Sequence, residues 1–241
     1  MTDRRRSFLG VVRWVLNRRR WRTRLPRRIA GVMQTRNYRD DLSSFETLAG
    51  LSDVTIVLDD NSTEPFVHAA ACTEYLSLRG SSPWSHQANL NLLLYRAFVH
   101  GCEWVVTLDD DMLTSHGFQD KAAVHAVIDR MEAESLDLCR FRVRDLWESS
   151  ERYRSDGVWG QKTTPVIRRN WFFWDGISFR DPALRLEVPA FPENLRVRWS
   201  VDPTHVVYHA GNLTDERRRA RVEKYRREDP ENAFQSDYSY I

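Results

Sequence analysis

Three short polar runs carry the side chains best suited to chemistry in this 241-residue chain: Thr35-Arg36-Asn37, Asp59-Asp60-Asn61-Ser62 and Asp109-Asp110-Asp111. Together they hold five carboxylates and an arginine, a set that repels itself unless water, or a divalent cation with its phosphate ligands, neutralises it. The run Leu108-Asp109-Asp110-Asp111-Met112 is the sharpest of the three. Asp109 and Asp111 stand at i and i+2, so at the end of an extended strand they point the same way and offer hard oxygen ligands to Mg²⁺ or Mn²⁺. A metal held there would bridge a diphosphate and stabilise it as it departs. Aspartate also serves turns and helix caps, and a bare triplet would favour that simpler reading. Its place after a buried strand, matched by Asp59-Asp60 after another, favours the ligand reading.

The elements that must position these runs alternate along the chain. Ile29–Gln34, Val54–Leu58 and Trp104–Leu108 are short apolar runs that read as buried strands. Between them, Asp40–Leu51 reads as a helix opened by acidic residues, and Ser85–His100 has helical periodicity closed by Gly101. A helix over Gly117–Glu134 and a strand over Leu136–Val143 continue the series. Strand and helix in alternation, with near-continuous apolar strands, predict a mostly parallel α/β sheet covered on both faces. In such sheets ligands bind beyond the carboxyl ends of the strands, which is where all three polar runs fall.

Taken together, Gln34-Thr35-Arg36-Asn37, Val57-Leu58-Asp59-Asp60-Asn61-Ser62-Thr63 and Trp104-Val105-Val106-Thr107-Leu108-Asp109-Asp110-Asp111 resemble, in order and spacing, the glycosyltransferase family 2 pattern and its GT-A relatives. The resemblance covers residues 28–145. It implies a GT-A α/β fold with a smaller acceptor-side cap, and a UDP- or GDP-sugar as donor. It further implies transfer of a hexose-type group to a hydroxyl, with inversion, on a glycan, lipid-linked or protein acceptor that the sequence does not name. By the same likeness Asp59 or Asp60 contacts the base or ribose, Thr35, Arg36 and Asn37 line that pocket, and Asp109 and Asp111 bind metal and diphosphate with Asp110 beside them. Asn89 and Asn91 fall where relatives touch nucleotide or sugar, although polar residues on a helix read equally well as exposed or capping. His209 ends the apolar run Val206-Val207-Tyr208 and matches a histidine that such relatives bring to the metal; neutral imidazole suits Mn²⁺, and a core or capping histidine is the competing reading.

After Trp147 the rhythm shortens to strand-like pieces over Pro165–Trp174, Arg196–Val201 and His205–His209, with prolines at Pro182, Pro189 and Pro192. An inverting reaction needs a carboxylate within reach of the acceptor hydroxyl. The family's Glu-Asp pair is missing from residues 150–210, which leaves Asp156 and Asp175 as candidate bases in aromatic, glycine-containing loops, with Asp202 behind them. Asp-Gly is first a turn signal, so each also reads as a turn residue. Trp171-Phe172-Phe173-Trp174 could stack on sugar rings, and strand packing explains it as well. Thr214–Asp229 predicts a helix with Thr214 as N-cap and a run of Arg217, Arg218, Arg219, Arg221, Lys224, Arg226 and Arg227 that reads as an exposed charged face or a diphosphate clamp.

The formal charge of +2 conceals a basic end on an acidic body: residues 1–28 hold eleven Arg against Asp3, and the remainder is net −8. Phe8, Val11, Val12, Val15 and Leu16 recur at helical spacing among those arginines, which predicts an amphipathic basic segment over residues 1–27 ahead of one catalytic domain over 28–241. The domain divides at 145 into a nucleotide-sugar half and an acceptor half. The apolar stretch is too short to span a bilayer, so contact with an anionic membrane surface is expected, a disordered tail is the plainer reading, and a nucleic-acid arm is less favoured. Cys72, Cys102 and Cys139 form no CxxC pair and no disulfide framework, which points to a reducing, cytoplasmic setting. A nucleotidyltransferase on the same fold is the alternative enzyme, disfavoured because no glycine- and lysine-rich loop follows the first strand. A non-catalytic binding module led by the arginine segment is the alternative outside catalysis.

Overall fold

The computed structural model describes residues 27–80, 86–156, 162–170, 197–199 and 205–228. In chain order the elements are β1 (Ile29–Thr35), α1 (Ser44–Gly50), β2 (Val54–Asp60), a 3₁₀ turn (Ala69–Ala71), β3 (Glu74–Leu78), α2 (His86–Val99), β4 (Trp104–Thr107), β5 (Met112–Thr114), α3 (Lys121–Ala133), β6 (Leu138–Trp147), β7 (Ser149–Tyr153), β8 (Thr163–Arg169), β9 (Val197–Trp199), β10 (Val206–His209) and α4 (Asp215–Glu228). The strands form one sheet in the order β3-β2-β1-β4-β8-β6-β10-β5, with β7 and β9 paired to β6. This is the mixed α/β, mostly parallel architecture that the alternation of elements predicts.

β1 is the hinge of the arrangement. It pairs in parallel with β2 on one side and β4 on the other, so the three strands end side by side and their following loops meet at one edge. Its residues alternate between two cores, as period-2 geometry requires. Ile29 and Met33 pack with Phe45 and Leu48 of α1 and with Val124, Val127, Ile128 and Met131 of α3, whereas Ala30 and Val32 pack with Leu90, Leu93, Leu94 and Ala97 of α2. Burial on both faces is why these strands are unbroken apolar runs. Gly31 lets α1 approach: a Cβ there would stand 2.6 Å from Ser52 Oγ and 2.9 Å from Leu48 Cγ.

Several expected boundaries move for local reasons. The helix expected from Asp40 starts at Ser44, because Asp40 and Asp41 are drawn into ion pairs and Ser43 takes a left-handed conformation, φ 51°. The helix expected from Gly117 starts at Lys121, where the Asp120 carboxylate accepts a hydrogen bond from Ala123 N at 2.8 Å. Thr214 caps α4 as expected, its hydroxyl oxygen accepting from Arg217 N at 3.2 Å. β3, β5 and β7 had no clear sequence signal. β3 is an edge strand with half-buried and exposed positions, so it lacks a continuous apolar run.

The part of the chain after residue 145 extends the same sheet rather than only covering it. β6 runs through that position to Trp147, and β8 returns antiparallel between β4 and β6. β10 then lies parallel to β6, and β5 closes antiparallel on β10. Arg169, at the end of β8, is buried with its guanidinium 4.3 Å over the Trp104 ring, and it donates to Glu103. Residues 171–196 of the expected acceptor-side half, with the Trp171–Trp174 run, lie outside the described residues, as does the arginine-rich segment up to residue 26. Among the described residues no helix is long and apolar enough to cross a membrane.

Candidate functional site

The loops after β1 and β2 are knitted together at the carboxyl edge. Arg36 donates from Nε to the Asp60 carbonyl at 2.6 Å, and its Nη2 stands 3.3 Å from Asp60 Oδ1. Asn37, at φ 59°, donates from its backbone N to Ser62 Oγ at 2.7 Å, and its side-chain oxygen accepts from Thr63 N at 2.8 Å. Asn89 reaches in from α2 and donates to Asp60 Oδ2 at 3.0 Å. Asp59 is buried, accepting from Ser62 N at 3.1 Å and from the Tyr75 hydroxyl at 2.7 Å. Asp59 thus holds the loop, and Asp60, also buried, is ringed by Arg36, Asn61 and Asn89. Asn91 is also buried, and among the described residues its Nδ2 has no hydrogen-bond partner.

The aspartate triplet is a turn, not an extension of β4. β4 ends at Thr107, and Met112 N donates to the Asp109 carbonyl at 3.1 Å. The i, i+2 alternation expected for Asp109 and Asp111 therefore does not apply. Asp110 and Asp111 line a pocket of about 220 Å³ together with Asn37, Arg39, Gly211, Arg217, Arg221 and Lys224, whereas Asp109 lies within electrostatic reach of His86 and Arg168. Asp110 accepts from the Thr35 hydroxyl at 2.6 Å, which couples the first and third polar runs.

His209 joins this site from β10. Its Nε2 is 3.2 Å from Asp111 Oδ2, and its Nδ1 is 2.6 Å from Asp145 Oδ1 on the neighbouring strand β6. Arg221 of α4 approaches the same Nε2 at 3.1 Å. Gly211 makes the convergence possible. A Cβ at that position would collide with the Arg221 guanidinium and stand 2.7 Å from Asp111 Oδ2 and 2.8 Å from His209 Nε2.

The electrostatics follow from this crowding. Burial pushes the Asp110 carboxyl up to about 7, and the neighbouring Asp111 and Asp109 push the same way. Burial would raise Asp111 too, but His209, Arg221 and Arg217 hold it well below the usual carboxylate range. Burial disfavours the His209 cation, yet Asp111 and Asp145 raise its pKa overall. Asp111 and Asp145 thus flank the His209 ring, with the Arg221 guanidinium at Nε2 and Lys162 3.2 Å from Asp145 Oδ2 as further cationic partners. Asp111 Oδ2 and His209 Nε2 are the two atoms here that would hold a metal such as Mn²⁺, provided the Arg221 guanidinium beside them moved aside, and Asp145 orients the ring from behind.

Other expected residues lie elsewhere or beyond description. Asp156 pairs with Arg154 at 2.6 Å and lines a separate open groove of about 520 Å³ with Trp147, Glu148, Glu151, Arg152 and Tyr153. Asp175 and Asp202 are outside the described residues. Sequence reasoning missed Asp145, Arg39 and Gly211, and left Arg217, Arg221 and Lys224 undecided between an exposed face and a clamp. Three of these basic residues recur at i, i+4 and i+7 on α4, a spacing that places them on one side of the helix.

No known family model matches the chain, and no curated protein matches it. Among solved structures the chain is similar to the 4-diphosphocytidyl-2C-methyl-D-erythritolsynthase from Anaerococcus prevotii DSM 20548, at 11% identity over 79% of this chain and 92% of that one, with a TM-score of 0.37. It is also similar to Rv0371c from Mycobacterium tuberculosis H37Rv, at 14% identity over 83% of this chain and 96% of that one, with a TM-score of 0.40.

Proposed function

We propose that this chain is a metal-dependent glycosyltransferase that takes a sugar from a nucleotide-diphosphate donor, a UDP- or GDP-sugar, and passes it to an acceptor hydroxyl. One observation carries the reading: Asp111, whose Oδ2 stands 3.2 Å from the buried His209 Nε2, lines a single pocket with Asp110, Gly211, Arg217, Arg221 and Lys224, beside the Arg36–Asp60–Asn89 cluster. Acidic and basic groups facing one another across a small cleft suit a ligand that is itself anionic and metal-bound, as a diphosphate is.

In this reading Asp60, Arg36, Asn37 and Asn89 bind the nucleoside end. Asp111 and His209 hold Mn²⁺ or Mg²⁺, with Asp110 alongside and Asp145 fixing the imidazole. The bound ion would supply Lewis-acid stabilisation of charge on the leaving diphosphate. Arg217, Arg221 and Lys224 neutralise the same charge from the helix side. The groove beside Trp147 is the acceptor side, and Asp156 is its candidate base. Arg218 stacks over the Trp147 ring at 4.3 Å, so α4 borders both the groove and the diphosphate pocket. Residues 1–27 would add contact with an anionic membrane surface and are dispensable for donor binding.

Calorimetric titration of the full chain with UDP, GDP and their sugars, with and without Mn²⁺, tests the proposal, alongside an Asp111→Ala variant. Binding that requires both the ion and Asp111 supports it. Absence of metal-dependent binding to any of these ligands sinks it. Incubation with nucleoside triphosphates adds a second arm, because release of pyrophosphate would indicate nucleotidyl transfer instead. Deletion of residues 1–24 should leave donor binding intact, whereas a binding module led by that segment would lose its ligand.

A further inference from the structure

On the connections that leave β1 and β2, Asp40, Glu46 and His68 bring three potential ligand atoms within 4.8 Å of one another. His68 Nε2 stands 2.7 Å from Asp40 Oδ1 and 3.4 Å from Glu46 Oε1. Asp40 comes from the β1–α1 connection, Glu46 from the first turn of α1, and His68 from the residue before the 3₁₀ turn. The imidazole is fixed by its neighbours: it stacks on Phe45 at 4.8 Å and 9°, with Tyr38 and Phe66 edge-on at 5.8 and 5.6 Å. Among the described residues no arginine or lysine pairs with Asp40 or Glu46, although the adjacent Asp41 is held at 2.6 Å by Arg217. Both carboxylates thus approach the same imidazole nitrogen. Both are about half exposed, which gives an ion a way in.

We propose that Asp40, Glu46 and His68 form a second metal site, separate from Asp111 and His209, that takes one Zn²⁺. One imidazole nitrogen and two carboxylate oxygens are a donor set that zinc accepts, with water in the fourth position. Tetrahedral coordination at zinc's usual bond lengths spaces donors about 3.3 Å apart. The His68–Glu46 separation already matches, and the His68–Asp40 contact needs to open by about 0.6 Å, well within the reach of an exposed carboxylate. The ion would tie the β1–α1 connection to the β2–β3 connection. Those same connections meet again at Arg36–Asp60 and Asn37–Ser62, so the site would stiffen the two loops that frame the nucleotide pocket, a consequence that rests on the function proposed above. The competing arrangement is the same three side chains hydrogen-bonded to one another with no ion.

Zinc titration of the full chain, stripped with chelator, decides between them, using the wild type and the His68→Gln, Glu46→Gln and Asp111→Ala variants. The wild type should bind at least one equivalent with a rise in Tm. His68→Gln should lose one equivalent and that rise, Glu46→Gln should weaken the same equivalent by at least about 10-fold, and Asp111→Ala should keep it. Glu46 is exposed, so its variant guards against misreading a folding defect. Zinc isotherms identical in wild type, His68→Gln and Glu46→Gln would overturn the site, as would zinc binding that disappears only with Asp111. The Asp111 variant separates the two metal questions, since it disables the donor site alone.

Discussion

Asp145 and His209 are directly paired residues on adjacent parallel strands, β6 and β10, and the Asp145 carboxylate accepts the hydrogen bond of His209 Nδ1 at 2.6 Å. The bond leaves Nε2 as the ring atom that faces Asp111. A carboxylate behind a ligating histidine fixes its tautomer and orientation, and removing such a partner costs about 10–100-fold in metal affinity. Asp145→Asn should therefore weaken Mn²⁺-dependent UDP or GDP binding by about that factor, measured by calorimetry. Metal-independent nucleotide binding should be unaffected. Equal loss with and without Mn²⁺ would show that Asp145 supports the pocket in some other way.

Gly211 is a test of space rather than of backbone conformation, since its φ lies outside the left-handed region and alanine fits the chain there. The added methyl would enter the gap shared by Asp111, His209 and Arg221. The Arg221 guanidinium is the flexible end of a long side chain and can yield, but the imidazole is fixed by its strand and by Asp145, and the carboxylate by the turn that leads into β5. Gly211→Ala should cost only about 1–2 kcal/mol in chemical denaturation, in the range for overpacking, while abolishing metal-dependent nucleotide binding. Retained binding would mean that the gap is not where the ion sits.

Lys224 faces the pocket from the third turn of α4. A charge-assisted contact to a phosphate contributes about 1.5–3 kcal/mol, or about 10–100-fold in affinity. Lys224→Ala should weaken UDP binding by at least about 10-fold and uridine binding hardly at all, and it should flatten the dependence of affinity on salt. A uniform loss for nucleoside and diphosphate alike would remove α4 from the diphosphate side.

How far the sequence reveals this site depends on what each residue answers to. β1, β2 and β4 are legible because burial on both faces forces unbroken apolar runs, and the polar loops that follow them fall at one edge as a consequence. The pairing inside the aspartate triplet is not legible, because it depends on the turn that Met112 N makes with the Asp109 carbonyl, a contact no residue type announces. Asp145 lies within a ten-residue strand where charged and apolar residues interleave, so nothing local marks it as the partner of a residue 64 positions away. The helix α4 is charged on every side, which hides the face formed by Arg217, Arg221 and Lys224. Gly211 is one of ten glycines, and its importance appears only once Asp111 and Arg221 are in place.

Glu74 gives the fold a dependence on acid. It sits on the edge strand β3, where Arg96 Nη2 reaches it at 2.5 Å and His100 Nε2 at 2.9 Å from the end of α2. Burial alone would raise its pKa, but these two hydrogen bonds and their charges outweigh it and hold the carboxyl below its ordinary 4.5. The stabilisation is complete above pH 4.5, where the unfolded chain is also ionised, and it is lost as the pH falls through the depressed native value. Glu74→Gln should lower stability at neutral pH by about 1 kcal/mol, since the partners are partly exposed and screened. It should also reduce the slope of stability against pH on the acid side of 4.5, measured by urea unfolding at several pH values. An unchanged slope would mean that the contacts between β3 and α2 are equally strong with the carboxyl protonated.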